Sequence, residues 1–133
     1  MATPTQTIRR FIDEFQTANN VAIAEELLAP DFIDHTPFPG FPGGRQGVLA
    51  LFAALRAAFP DLRAEVVHQI EQGDRVATHK LFHATHLGDF MGIPPTGRTI
   101  TIDVIDLVRV ENGLMKEHWN AVDASGLMKR LTA

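Results

Sequence analysis

Leu62-Arg63-Ala64-Glu65-Val66-Val67-His68-Gln69-Ile70-Glu71 is the stretch on which the reading of the fold turns. Leu62, Ala64, Val66, His68 and Ile70 alternate with Arg63, Glu65, Val67, Gln69 and Glu71, the period of a half-buried strand. Upstream of Pro60 the period is helical. Thr3-Pro4-Thr5-Gln6 reads as a capping box with proline at the first helical position, and Ile8, Phe11, Ile12 and Phe15 follow at i, i+3, i+4, i+7. Asn19 or Asn20 caps a second, short helix with Ile23, Leu27 and Leu28 inward, and Pro30 ends it. Asp31 to Gly47, rich in proline and glycine, reads as a loop carrying His35. A third helix spans about Val48 to Phe59, with Val48, Phe52, Leu55 and Phe59 inward and Pro60 as its stop.

Downstream, Gln72-Gly73-Asp74 turns the chain into a second strand, about Arg75 to His86. A glycine- and proline-rich loop, Leu87 to Gly97, leads to a third strand near Arg98 to Val110. Glu111-Asn112-Gly113 is a hairpin signal, a fourth strand runs from Leu114 to about Asp123, and a short helix from Ser125 to Leu131 closes the chain. Helices first and a meander of strands second predict an α+β domain, a curved antiparallel sheet with helices on one face. Both faces of the third strand are apolar, so the outer face is expected to be a subunit interface and the chain a homodimer.

Composition narrows the function classes. The 133 residues suit a single domain, 1–133, with its own core, and 45% apolar with 21% charged residues is ordinary globular composition. No cysteine is present, so a thiol nucleophile, a disulfide framework and a thiolate zinc site are all excluded. Net charge is −4 and Arg9-Arg10 is the densest basic cluster, which argues against nucleic acid. No apolar run approaches the roughly 20 residues that cross a bilayer, and Met1-Ala2-Thr3-Pro4 lacks the character of a signal peptide. A cytoplasmic protein without a membrane segment is the expectation.

Several stretches together resemble the SnoaL-like polyketide cyclases, of the nuclear-transport-factor-two-like superfamily. They are Pro30-Asp31-Phe32, Ala58-Phe59-Pro60-Asp61, Gly73-Asp74-Arg75-Val76, Asp106-Leu107-Val108-Arg109, Asn112-Gly113 and Glu117-His118-Trp119. The most specific is Thr85-His86-Leu87-Gly88-Asp89-Phe90-Met91-Gly92-Ile93-Pro94-Pro95-Thr96-Gly97-Arg98. Order and spacing fit from about residue 6 to 131. The resemblance implies a cone-shaped half-barrel with helices on its concave face, a deep apolar pocket and a dimer formed through the outer sheet. It also implies ring closure by intramolecular aldol condensation without metal or cofactor, with a histidine on the third strand and an aspartate on the fourth. The matching columns hold Asp106 and Asn120, and an asparagine cannot accept a proton as a base.

Taken by themselves, Asp106, His118 and Asn120 are the candidate catalytic residues. A three-residue loop puts Asp106 across from His118, with Asn120 on the same face; a turn of Asn112-Gly113 alone pairs Asp106 with Trp119. The family's arrangement favours the first register. A carboxylate–imidazole pair in an apolar hairpin is a proton-transfer device, or else an ion pair that holds strand register. Asp103 needs a partner if buried. Candidate substrate contacts are Phe15 (first of all helix core), His35 on a loop lip, His83 and Trp119, together with Asp123, whose simpler role is a helix cap. His79 and His83 share a strand face but stand about 13 Å apart at ~3.3 Å per residue, too far for two ligands each about 2.1 Å from one zinc. No metal is therefore expected, and the resemblance implies no cofactor.

Two function classes follow. One is a cofactor-independent enzyme moving a proton on a hydrophobic carbonyl compound, as cyclase or isomerase, with a small epoxide or ester hydrolase as a variant. The other is a non-catalytic small-ligand binder or accessory protein of the same fold.

Overall fold

Thr3 opens the first helix as the sequence predicts: its side chain accepts from Gln6 N while the Gln6 side chain accepts from Thr3 N. The computed structural model describes residues 2–132; Met1 and Ala133, the ends of the single-domain reading, lie outside the described residues. Helix α1 (Pro4–Arg10) continues without a break into a π-helical segment, Phe11–Thr17. That extra residue per turn keeps Phe11, Ile12, Phe15 and Gln16 all buried. Helix α2 (Val21–Leu27) is short, and α3 (Arg45–Ala58) starts three residues before the expected Val48.

The chain between α2 and α3 corrects the loop reading. Leu28–Asp34 is a strand, β1, that pairs in parallel with the last strand of the sheet. Pro30 marks the end of a helix on sequence grounds, yet it is also tolerated in a strand when that strand is an edge, and β1 is one.

Four further strands, β2 (Arg63–Gln72), β3 (Arg75–Thr85), β4 (Thr99–Glu111) and β5 (Leu114–Val122), form an antiparallel meander, and the sheet order is β1-β5-β4-β3-β2. The sheet is curved and unclosed, as the α+β cone requires, with one parallel edge that the sequence reading lacked. Helix α4 (Ala124–Thr132) closes the chain. Strands β3 and β4 alternate strictly, with Val76, Phe82, Ile102 and Val108 on the buried side. The alternation of Leu62–Glu71 breaks where the β2–β3 register shifts between Val66 and His68. Beyond the shift Ile70 is turned outward, 69% exposed.

The β4–β5 hairpin matches neither expected register. Asn112 and Gly113 both take positive φ, 53° and 75°, and close a two-residue turn that pairs Glu111 with Leu114. An irregularity then intervenes: Arg109 pairs with Glu117 while Val110 pairs with Met115, so Lys116 is extra. Asp106 consequently lies opposite Asn120, and Val108 opposite His118. The added residue sits in β5 and not in the turn, but it has the same effect on parity, turning His118 and Asn120 to the face of Asp106.

No helix among the described residues is long and apolar enough to cross a membrane.

Candidate active site

A cavity of about 370 Å³ lies between the inner sheet face and the helices. Ile8, Phe11 and Ile12 from the first helix, Phe52 and Leu55 from α3 and Leu127 from α4 give it apolar walls. Phe38 and Phe90, from the loops after β1 and β3, also line it, with ring centroids 6.3 Å apart. Gly88 fixes the second of these loops: a Cβ there would stand 2.3 Å from the Ala57 carbonyl oxygen. Only glycine allows the loop so near the end of α3, and the N–H groups of Leu87 and Gly88 both donate to Ala58 O at 3.0 Å.

Polar side chains enter this apolar space as one connected group. His118 Nε2 lies 2.6 Å from Asp106 Oδ1, and its Nδ1 lies 2.9 Å from Asp34 Oδ1. With a carboxylate at each nitrogen, the imidazolium donates at both. Burial pushes the His118 pKa down, but the hydrogen bonds and charges of Asp106 and Asp34 outweigh it and raise it to about 9. Burial likewise pushes Asp106 up, and the charge of Lys80 with the hydrogen bond from His118 brings it down to about 2. Lys80 Nζ is 2.6 Å from Asp106 Oδ2, an oxygen with no partner at hydrogen-bond angle, so this contact is one of charge. Lys80 Nζ also donates to Gln16 Oε1 at 2.9 Å.

Thr36 links Asn120 to the group. Its hydroxyl accepts from Asn120 N at 2.8 Å and donates to Asn120 Oδ1 at 3.1 Å, while Thr36 N donates to Asp34 Oδ1 at 3.0 Å. The amide oxygen of Asn120 is thus engaged, which leaves its Nδ2 as a donor.

Asp106, His118 and Asn120 therefore share one wall of the cavity, and the other expected contacts lie outside it. Phe15, 2% exposed, is consumed in the core between Phe11 and Phe52, with each ring centroid 5.1 Å away. Strand alternation turns Trp119 to the outer face, where His35 stacks on it at 4.5 Å and the Arg75 guanidinium lies 5.8 Å from its ring. His35 Nε2 is 3.0 Å from Glu117 Oε1. Outward alternation likewise places His83 Nε2 2.7 Å from Glu65 Oε1, and His79 Nε2 2.8 Å from Asp103 Oδ1. Asp123 caps α4, its Oδ1 accepting from Gly126 N at 2.9 Å.

Three members of the polar group escaped the sequence reading. Asp34 fell in the stretch read as loop. Gln16 lies off the i, i+3, i+4, i+7 stripe and turns inward because the helix is π at that point. Lys80 did leave a signal: it shares the alternate positions of Val76, Thr78, Phe82 and Ala84, a lysine on the buried face of a strand.

A model of the SnoaL-like polyketide cyclases matches residues 6–131. The chain belongs to that family. This SnoaL-like chain is 26% identical over 136 residues to the aklanonic acid methyl ester cyclase DnrD of Streptomyces peucetius, a match spanning 98% of this chain and 92% of DnrD. It is 27% identical over 109 residues to the nogalonic acid methyl ester cyclase of Streptomyces nogalater, across 80% of this chain and 81% of that one. Among solved structures, IdmH of Streptomyces antibioticus aligns with a TM-score of 0.88 at 33% identity, covering 99% of this chain and all of IdmH, 100%. The curated relatives are polyketide cyclases.

Proposed function

We propose that this chain is a cofactor-independent cyclase that removes a proton next to a carbonyl in a hydrophobic, polyketide-like substrate and closes a ring. The observation that carries the reading is the His118 imidazolium held between Asp34 and Asp106 at the edge of an apolar cavity. Near neutral pH this histidine has a proton to give and no lone pair with which to take one, so it is the acid. Asp34 Oδ2, which has no protein partner among the described residues, is the base. The substrate proton passes from carbon to Asp34, and the enolate carbon bonds to a second carbonyl carbon of the same molecule. The resulting alkoxide takes the Nδ1 proton of His118, and Asp34, turning its protonated oxygen toward the ring, returns a proton to Nδ1 and so restores their hydrogen bond. Protons balance, and the product is an isomer of the substrate. Asp106 holds the ring in place, and Asn120 Nδ2 donates to the substrate oxygen. Apolar walls exclude water and so strengthen each of these charges.

The test is exchange of substrate carbon-bound protons in deuterated water, followed by NMR, with aklanonic and nogalonic acid methyl esters as first substrates. Enzyme-dependent exchange with ring closure is expected. Tight binding with neither would instead support a small-ligand carrier, the reading that Asn120 in the family's aspartate column favours.

We also propose a homodimer formed through the outer sheet face, because Ile105, in the middle of β4 on that face, is 54% exposed.

A further inference from the structure

Lys80 is a cation with 4% exposure inside an apolar core. Such a charge is expensive to bury, and one carboxylate is enough to hold it. Its surroundings go further. Asp106 Oδ2 takes its charge from one side and Gln16 Oε1 accepts one N–H from another, while the face of Phe82 lies 5.1 Å from Nζ. An ammonium has three N–H groups, and its polar partners among the described residues are these two. Lys80 also lines the cavity. Gln16 is itself held in place, because Arg56 donates to the backbone carbonyls of Gln16 and Thr17 and so pins the π-helical segment. The ammonium is thus oriented by a neutral dipole that does not cancel its charge.

The charges of the group point the same way. Asp34 and Asp106 are matched by His118 and Lys80. When Asp34 takes a proton from the ligand, two cations face one carboxylate, and the ligand's new negative charge restores the balance.

We propose that Lys80 is the oxyanion-holding residue of this cavity, and that the ligand places there the oxygen of an acidic enol, such as that of a 1,3-dicarbonyl compound, bound as its anion. This rests on the acid–base reading above, with Asp34 as the group that takes the proton. Lys80 donates an N–H not taken by Gln16 to the oxygen on which the electron pair settles as the carbon–hydrogen bond breaks. A donor fixed before the reaction stabilises that charge without reorganising.

The experiment uses 4-nitrophenol, whose anion is yellow, as an enol mimic that needs no turnover. Its ionisation is titrated by absorbance, free and bound to the full chain carrying Asp34→Asn, which supplies the uncharged counterpart of the protonated base. The expected result is a midpoint about one unit lower when bound, meaning the anion binds about tenfold tighter than the neutral phenol. Adding Lys80→Met should abolish the shift while the phenol still binds; Lys80→Arg should keep it. Should the methionine variant fail to fold, Lys80→Gln takes its place. An unshifted or raised midpoint in the Asp34→Asn protein, or a shift that survives loss of the lysine, overturns the proposal. A shift that depends on Lys80 in a protein whose wild type exchanges no substrate protons would remove the cyclase reading and leave the oxyanion site standing.

Discussion

His118 carries its proton at a cost that appears in alkaline solution. Its folded pKa of about 9 lies above the ordinary 6.5, so its contribution to stability is complete below 6.5 and is lost as the pH rises through about 9. Asp106 has the opposite sign: lowered from 3.8 to about 2, it contributes fully above 3.8 and loses that contribution as the pH falls through about 2. The melting temperature should therefore be highest between about pH 4 and 6.5 and decline steadily toward pH 9. The alkaline slope should flatten in His118→Gln; an equally steep slope in that variant would falsify the pairing as its cause. For catalysis, His118→Ala should lower turnover by roughly 10²–10⁴, with circular dichroism unchanged. At this scale the sequence was legible where alternation reached it. Asp106, His118 and Asn120 could be named because strand parity put them on one face. Asp34 could not, because the edge strand that carries it reads as loop, and Lys80 was visible only as a lysine at an inward position.

Among the elements, the β4–β5 hairpin shows what a sequence pattern leaves open. Asn112-Gly113 announces the turn, but no residue type announces that the extra residue will be Lys116, whose Nζ bonds Asp31 of β1 at 2.7 Å. Whether the extra residue falls in the turn or in the strand, the same faces result, so the shared face of Asp106, His118 and Asn120 was foreseen through a register that does not occur. The helix–strand boundary at Pro60 was equally legible because the period itself changes there. Strand β1 was not, since its pairing depends on a partner more than 80 positions away and not on its own composition. The loop after β3 offers a direct check. Gly88→Ala forces a side chain against the Ala57 carbonyl and should destabilise the fold by about 1–3 kcal/mol, seen as an earlier midpoint in urea unfolding. An unchanged midpoint would mean the loop can shift away from α3.

On the scale of the whole molecule, light scattering at micromolar concentration should report twice 14.7 kDa, and Ile105→Asp, at the centre of the outer face, should return the monomer mass. A wild-type monomer would remove the dimer proposal. A hydrophobic 1,3-dicarbonyl ligand at a hundredfold excess over its dissociation constant should stabilise the native state by about 2.7 kcal/mol, measured as a rise in melting temperature. The pairing of β1 with β5 also bears on how the protein comes into being. Asp34 and His118 are 84 residues apart in the chain, and Asn120 stands as far from Thr36. A nascent chain can form the β2–β5 meander from neighbouring hairpins, but Asp34 meets His118 only after a long loop has closed, a step that is slow because its entropy cost comes before any contact rewards it. During refolding, strand signals should recover first and activity should lag behind them. An edge strand is also the one most easily released in local openings, so competence returns last and is the first property lost when β1 frays.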